Sequence, residues 1–192
     1  MLPDTGVPSL KTMKTGIEKY KNILSDKTCD LLIEHLETNL DNAENLDYTS
    51  GGNIVAKEIL LQKGTALDNL VWEGIKTIMT NYKKDYKYFL GFRDQGYQLR
   101  KITDKTKEHI DSVISYQTNH DEADIRTVSA IIGLNSDYED GEFHFPQQNY
   151  TTTVKRGEAI VFPVYFLYPH SVDAPSTHRY TINTWFAELL FQ

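Results

Sequence analysis

The segment 169–185, PHSVDAPSTHRYTINTW, constrains the fold most, because it places two chemically active side chains beside strand-like sequence. His170 is followed nine positions later by Arg179, which heads an alternating run from Tyr180 to Trp185. Alternation with period 2 is typical of β-strands whose two faces meet different surroundings. A histidine and an arginine on neighbouring strands could hold a metal ion and an anion side by side. We therefore expect this half of the chain to form a sheet that carries a binding site.

A second pair of candidate ligands lies upstream, in the triplet His109-Ile110-Asp111. On extended backbone the first and third residues of an H-x-D triplet point to the same face. His109, Asp111 and His170 would together supply two imidazoles and one carboxylate. This donor set leaves coordination positions open and is characteristic of non-haem Fe(II) oxygenases. The sequence therefore predicts a catalytic metal centre built from these three residues.

The other histidines are weaker candidates. His120 and Glu122 form an H-x-E triplet that could ligate a metal in the same way, but they lie in a hydrophilic stretch that would fix their geometry poorly. We favour His109 and Asp111 and keep His120 and Glu122 as the alternative. We interpret three further histidines as packing or surface residues, or at most as contacts to the substrate: His35, His144 and His178.

Composition excludes several classes of partner. A chain of 192 residues with 40% hydrophobic and 24% charged residues is typical of one soluble globular domain. The net charge of −7 lacks the basic character that binding to duplex nucleic acid needs. The single cysteine, Cys29, cannot form an intrachain disulfide, and no apolar run approaches the roughly 20 residues of a membrane span. We expect a cytoplasmic protein without duplex nucleic acid or membrane partners; its oligomeric state is not predicted.

The order of predicted elements indicates a mainly β fold with N-terminal helices. After an irregular lead-in over 1–16 and a first strand within 17–24, the periodicity predicts helices over 26–39 and 66–85, with Ser25 as N-cap of the first. Loops are predicted over 41–53, 104–108 and 112–124. Strands are predicted over 97–103, 125–134, 143–145, 151–154, 159–162 and 180–191.

Two helices followed by seven or eight short strands predict a mostly antiparallel double-sheet barrel, braced by the helices on one face. We expect one domain over 1–192, with the barrel core at about 95–190.

Four segments together resemble the Fe(II)- and 2-oxoglutarate-dependent dioxygenases of the prolyl-4-hydroxylase-like family. They are HID (109–111), RTVSAIIGLNSDYEDGEFHFP (126–146), RGEAIVFP (156–163) and YPHSVDAPSTHRYTINTWF (168–186). The resemblance covers roughly residues 95–190. It implies a double-stranded β-helix, the jelly roll of cupin-like proteins, in agreement with the predicted strands.

The resemblance also implies roles for individual residues. His109, Asp111 and His170 would bind Fe(II), and Arg179 would bind the distal carboxylate of 2-oxoglutarate. A guanidinium suits that task because it is permanently charged and can bind a carboxylate through two hydrogen bonds. Thr181, on the same strand face, could add a hydroxyl contact. The implied cofactor and co-substrates are Fe(II), 2-oxoglutarate and O2, with ascorbate as a further candidate.

Two positions depart from the family pattern. The family often has a tyrosine before H-x-D that contacts the co-substrate, whereas this chain reads RKITDKTKEHID, and Thr103 or Tyr97 is expected to substitute. The usual Gly-Gly before the acidic position is Asp140-Gly141 here. Neither departure affects a proposed metal ligand, so we expect activity.

The substrate is predicted only as a class. The resemblance favours hydroxylation of a prolyl residue in a peptide or protein. Loops 104–108 and 112–124 would gate the site, and tyrosines would supply either an aromatic peptide surface or barrel core: Tyr116, Tyr138, Tyr150, Tyr165 and Tyr168. The alternatives are a free amino acid, another protein side chain, an alkylated base, or a jelly-roll binding module without catalysis.

Overall fold

The structure, a computed structural model, describes residues 14–47, 55–91, 93–116 and 123–189. Within these residues the chain forms two α-helices, α1 (Asp26–Thr38) and α2 (Ala66–Asp85). Thirteen strands are present in the same ranges: β1 (Glu18–Tyr20), β2 (Glu44–Leu46), β3 (Ala56–Leu60), β4 (Arg93–Asp94), β5 (Gln98–Ile102), β6 (Thr106–His109), β7 (Ile114–Tyr116), β8 (Ala123–Gly133), β9 (Phe143–Phe145), β10 (Tyr150–Thr152), β11 (Ala159–Pro163), β12 (His170–Val172) and β13 (Arg179–Leu189).

Several predictions fall outside the described residues. These are most of the lead-in 1–16, parts of the loops 41–53 and 112–124, the alternative ligands His120 and Glu122, and the last residues of the C-terminal run.

The strands form two antiparallel sheets. The large sheet has nine strands in the order β1-β11-β8-β13-β5-β3-β2, with β4 paired to β13 and β7 paired to β8. The small sheet has four strands in the order β10-β9-β12-β6. The long strands β8 and β13 pair along most of their length and form the centre of the large sheet.

Both helices begin at the residues that the sequence predicts. The Ser25 hydroxyl accepts a hydrogen bond from the Thr28 amide at the start of α1, and the Thr65 hydroxyl accepts one from Asp68 at the start of α2. The apolar faces of the two helices pack on the outer side of the large sheet and form the main hydrophobic core with it. Within the described residues, no helix combines the length and the apolar character that crossing a membrane would require.

A second, smaller core lies between the two sheets, and strand β11 shows how one sequence serves both cores. Ala159 and Val161 face the helices, whereas Ile160 and Phe162 face the small sheet, where they meet Phe143 and Phe145 of β9. Alternate side chains of a strand point to opposite faces, so a continuous apolar run fills two cores. This arrangement confirms the predicted class: a mainly β jelly roll of two facing antiparallel sheets, braced by two helices.

The strand count was predicted too low. Ten described strands follow α2, not seven or eight, and three short strands in the described residues, one before α2 and two after it, occupy segments that we expected to be irregular. Strand β2 lies in the predicted loop 41–53, β6 in the predicted turn 104–108, and β7 in the predicted connection 112–124. These strands are only three or four residues long, and each is paired with a neighbouring strand, which stabilises it.

Candidate metal centre

The pairing of β6 with β12 brings the two predicted histidine ligands together. His109 and His170 are opposite each other in the ladder, with ring centroids 4.4 Å apart. Asp111 lies two residues beyond β6, with its Oδ1 atom 3.3 Å from His109 Nε2 and its Oδ2 atom 3.9 Å from His170 Nε2. One possible ligand atom from each residue lies within 4.8 Å of the other two. Residues 61 positions apart in sequence therefore converge on one point, as the sequence predicts.

Hydrogen bonds to the backbone orient both imidazoles. The Nδ1 atom of His109 lies 2.8 Å from the Lys107 carbonyl oxygen, and that of His170 lies 3.2 Å from the Tyr168 carbonyl oxygen. A carbonyl can only accept, so each Nδ1 is the donor, and each imidazole in its neutral form presents the lone pair of Nε2 to the centre. The aromatic rings of Phe145 and Phe162 pack against His170 and fix its position.

The surroundings favour an ionised carboxylate at this centre. Burial alone would raise the pKa of Asp111, but interactions that include the hydrogen bond to His109 and a hydrogen bond from Ser129 lower it well below its usual range. Burial is the main cause that lowers the pKa of His170. Burial would also lower the pKa of His109, but its contacts with Asp111 and the Lys107 carbonyl outweigh burial and raise it. An anionic carboxylate and a neutral His170 are the protonation states that a divalent metal requires.

Arg179 begins β13 and is 3% exposed. Its Nη1 group donates to the Gly141 carbonyl at 2.8 Å, and its guanidinium lies 5.0 Å from the Phe143 ring centroid. Among the described residues no carboxylate pairs with Arg179, and its buried Nε group has no hydrogen-bond partner. Burying a cation without a counter-charge is costly. The chemistry of this position therefore fits an anionic ligand, such as the distal carboxylate of 2-oxoglutarate.

One detail of the predicted arrangement is wrong. His170 and Arg179 do not lie on neighbouring strands, because β12 belongs to the small sheet and β13 to the large sheet. The chain crosses from one sheet to the other between them, so the two side chains approach from opposite walls. A cavity of about 290 Å³ lies between the sheets, lined by the three candidate ligands together with Arg179 and Thr181. The Thr181 hydroxyl donates to Asn183 Oδ1 at 2.7 Å.

The expected substitutes for the family's tyrosine are also wrong. The Tyr97 ring belongs to the core between the sheet and the helices, and its hydroxyl donates to Asp94. Thr103 is exposed and donates to the Val55 carbonyl. Neither residue lines the cavity; strand β5 turns its even-numbered residues, Gln98, Arg100 and Ile102, toward it.

The predicted aromatic peptide surface is not formed by the tyrosines as a group. Tyr138 lies beside Gly141, near Arg179, and donates to the Val154 carbonyl. Tyr150 and Tyr168 pack against the core between the sheets, which was the alternative interpretation. Tyr165 is partly exposed, and the prediction for Tyr116 concerns a side chain outside those described.

The three remaining described histidines lie away from the cavity lining. His144 points outward, opposite to the buried Phe143 and Phe145, and its Nε2 atom lies 2.6 Å from Asp173. His178 packs edge-on against the Tyr180 ring, and His35 lies on α1. The structure therefore concentrates the candidate metal chemistry of the described residues at one place.

Several cavity residues were not singled out from the sequence, among them Glu58, Arg100, Arg126 and Trp185. The Arg126 guanidinium stacks 3.8 Å from the Trp185 ring centroid, and its Nε group donates to Gln95. Trp185 could have been found, because it shares the odd-numbered face of β13 with Arg179 and Thr181. Arg126 could not, because the ladder between β8 and β13 shifts register between Phe186 and Ala187.

Solved structures of prolyl hydroxylases share this fold. The collagen prolyl hydroxylase of Paramecium Bursaria Chlorella virus-1, solved with 2OG, is 18% identical, with a TM-score of 0.68 over 90% of this chain and 96% of that chain. A Pseudomonas putida prolyl-4-hydroxylase is 16% identical, with a TM-score of 0.61 over 89% of this chain and 91% of that chain. A Trichoplax adhaerens prolyl hydroxylase, solved with a hypoxia inducible factor peptide, is 13% identical, with a TM-score of 0.63 over 89% of this chain and 83% of that chain.

A family model matches the same part of the chain. Residues 97–187, just under half of the chain, match the model of the 2OG-Fe(II) oxygenase superfamily. This segment, which contains the three candidate ligands and Arg179, is similar to that superfamily of dioxygenases, which use Fe(II), 2-oxoglutarate and O2. A comparison with curated protein sequences gives no significant match.

Proposed function

We propose that this protein is an Fe(II)- and 2-oxoglutarate-dependent hydroxylase that acts on a prolyl residue in a peptide. The observation that carries the proposal is the joint lining of one cavity by His109, Asp111, His170 and the unpaired cation Arg179. A single domain over 1–192 stays part of this proposal.

The metal would be bound by His109 Nε2, one Asp111 oxygen and His170 Nε2. These atoms are close together, and the other nitrogen of each imidazole is held by a backbone carbonyl. Ser129 would orient the carboxylate, because its hydroxyl donates to Asp111 Oδ2. Two imidazoles and a carboxylate leave room for a chelating co-substrate and for O2.

The co-substrate would reach from the metal to the opposite wall. There Arg179 would bind the distal carboxylate of 2-oxoglutarate, and Thr181 would contact it if its hydroxyl turned away from Asn183. When bound, Fe(II) and 2-oxoglutarate would supply, together with O2, the hydroxylation of a C–H bond: one oxygen atom of O2 would enter the substrate and the other would enter succinate, with release of CO2. Ascorbate as a further cofactor stays a prediction from the resemblance.

The chain itself would position the substrate and limit access of water. The stacked Arg126 and Trp185 side chains form a flat wall of the cavity, which suits the ring of a proline. The Trp185 Nε1 group is buried without a hydrogen-bond partner among the described residues, and it could donate to a carbonyl of the substrate. The likeness to prolyl hydroxylases, one of them solved with a peptide, supports this choice of substrate.

A free amino acid is the second candidate substrate, because an ion pair lies in the cavity wall. Arg100 donates to Glu58 and to Gln98, and all three residues line the cavity. A neighbouring cation and anion could bind the carboxylate and the ammonium group of a zwitterion. A peptide in mid-chain carries neither charge, so the two candidates require different neighbours.

Two experiments test the proposal in sequence. Anaerobic addition of Fe(II) and 2-oxoglutarate should give the visible charge-transfer band of the chelate. A silent spectrum from folded protein would instead favour the binding module. The aerobic enzyme should then add one oxygen atom, detected by mass spectrometry, to a proline-containing peptide. Hydroxylation of free proline alone would favour the second candidate, and loss of the band in His120→Ala but not His109→Ala would favour the alternative ligands.

A further inference from the structure

Exposed apolar side chains are concentrated in two segments that adjoin the candidate metal ligands along the chain. Tyr165, Phe166 and Leu167 are 39%, 77% and 54% exposed and lie between β11 and β12. Ile110 and Val113 are each 43% exposed and flank Asp111. These five residues, which we call the rim patch, are five of the eleven large apolar side chains exposed in the part of the chain that the structure describes. Such clustering marks an interaction surface more often than chance exposure.

Backbone hydrogen bonds place the two segments of the rim patch side by side. The Val113 carbonyl accepts from the Arg126 amide at 3.2 Å, and the Val164 amide donates to the Thr127 carbonyl at 3.2 Å. Because Arg126 and Thr127 are consecutive residues of β8, both segments meet that strand at the same level. Ile110 directly follows one candidate metal ligand, and residues 165–167 shortly precede another. The two segments of the rim patch therefore lie side by side on β8, and each adjoins a candidate metal ligand along the chain.

The backbone that carries the patch is held in place. The Tyr168 amide donates to the Tyr165 carbonyl at 2.8 Å and closes a turn, and the Gln148 side chain donates to the Leu167 carbonyl at 2.8 Å. The Tyr168 hydroxyl donates to the Thr15 carbonyl at 2.9 Å. An exposed apolar surface on a fixed backbone loses little conformational entropy when a partner binds it.

The size of the cavity indicates what covers the patch. At about 290 Å³ it lies at the lower end of the range for small-molecule sites, so it can hold a co-substrate and little more than one side chain. The rest of a polypeptide substrate must lie outside, over the rim. None of the five rim residues is charged, and the segment with Val113 adjoins Arg126 of the cavity wall. The surface is therefore continuous with the proposed site and suits apolar neighbours.

We propose that the rim patch binds apolar side chains next to the hydroxylated residue of an extended peptide, so that the enzyme selects targets with apolar flanks. This inference rests on the proposed function, because it assumes a peptide substrate. It assigns to residues 110, 113 and 165–167 a role in substrate choice that is separate from metal and co-substrate binding.

The test measures peptide binding without catalysis. Fluorescent nonapeptides with one central proline, flanked by leucines or by serines, are titrated by anisotropy into protein that holds Fe(II) and 2-oxoglutarate under anaerobic conditions. The leucine-flanked peptide should bind more tightly than the serine-flanked one. The double variant Phe166→Ser, Leu167→Ser should weaken binding of the leucine-flanked peptide about tenfold, because the peptide leucines then lose part of the apolar surface that covers them. The matched control is Leu31→Ser, Leu70→Ser, which removes two exposed leucines from the helices and should leave binding unchanged.

Other outcomes overturn the inference or separate it from the proposed function. Equal affinity for both peptides, or for parent and rim variant, refutes the rim patch as a peptide site. A parent dimer that the rim variant converts to monomer, with peptide affinity unchanged, refutes it in favour of a second copy as occupant. Tight binding of the leucine-flanked peptide without aerobic hydroxylation supports the rim patch and refutes the proposed prolyl hydroxylation.

Discussion

The two faces of strand β13 are both buried, but they contain different chemistry. On the face toward the helices, Tyr180, Ile182 and Phe186 join the main hydrophobic core. On the face toward the small sheet, four side chains with polar groups line the cavity: Arg179, Thr181, Asn183 and Trp185. Folding alone explains the first face, since burial of apolar surface stabilises the domain. It does not explain the second, since a buried cation with an unpaired Nε group opposes folding.

The difference teaches where to look for function in a fully buried strand. The polar face carries groups whose partners are absent from the described residues, and such groups indicate a ligand rather than a core. Substitutions on the face toward the helices should therefore lower the stability of the domain, whereas substitutions on the face toward the small sheet should weaken ligand binding.

The largest effect is expected from His170→Ala on the cavity side. If His170 is a metal ligand, turnover of 2-oxoglutarate should fall by more than about 100-fold, the upper value for loss of an outer partner of a metal site. Succinate formation measures the effect. His144→Ala is the matched control, because His144 points outward and pairs with Asp173. Activity of His170→Ala comparable to that of the control would rule out the assignment.

On the core side, Ile182→Ala should lower the free energy of unfolding by about 2–5 kcal/mol, because it leaves a cavity in a packed core. Thr181→Val, at the adjacent residue on the other face, leaves no cavity but removes the hydrogen bond to Asn183, and should cost about 0.5–1.5 kcal/mol, the net contribution of one such bond. Urea denaturation measures both. Equal losses would show that the two faces contribute to stability in the same way, contrary to the comparison drawn above.

Arg179→Met should separate stability from binding on the polar face. Loss of hydrogen bonds to a charged group should weaken 2-oxoglutarate binding by about 1.5–3 kcal/mol, whereas stability without co-substrate should stay equal or rise. Thermal melting with and without 2-oxoglutarate measures both quantities. Arg156→Met is the control, because Arg156 already pairs with Asp26 and Asp30. A co-substrate-induced shift in Arg179→Met as large as in the parent would contradict the role of Arg179.

The smallest effect concerns pH. The raised pKa of His109 means that metal must displace a proton from it, so metal affinity should fall as pH drops below that pKa, by up to about tenfold per pH unit. Without metal the sign is opposite: a raised histidine pKa contributes stability below the unfolded value, and this contribution is lost as pH rises through the folded value. Melting temperatures between about pH 6 and pH 8, with Co(II) or with chelator, should therefore have opposite slopes. Both slopes should flatten in His109→Ala.

Much of the fold and the centre of the site could be predicted from local pattern. The bounds of α2 follow from apolar spacing, and the alternation of β13 places Arg179 and Thr181 on one face. The His109-x-Asp111 triplet was correctly placed near His170, because the ligand chemistry limits the combinations. These features depend on residues close in sequence or on a donor set with few alternatives.

Other features depend on pairings that a local pattern does not contain. The chain crosses between the sheets after β12, so that β12 belongs to the small sheet and β13 to the large sheet. The two strands were therefore wrongly expected to be neighbours. On β5 the cavity side carries Gln98 and Arg100, while the buried Leu99 faces the helices. This polarity is the reverse of an ordinary sheet with its polar face in water. The local pattern therefore does not show that Tyr97 and Thr103, which were expected to contact the co-substrate, lie away from the cavity.

The crossover between β12 and β13 has a consequence for the choice of co-substrate. His109 and His170 belong to the small sheet and Arg179 to the large sheet, so the distance between the sheets sets the distance between the proposed metal site and the guanidinium. Close packing of Phe143, Phe145, Ile160 and Phe162 between the sheets makes that gap hard to change. A dicarboxylic 2-oxo acid one methylene shorter or longer than 2-oxoglutarate would contact either the metal site or Arg179, but not both. The packing between the sheets would therefore select the co-substrate by its length.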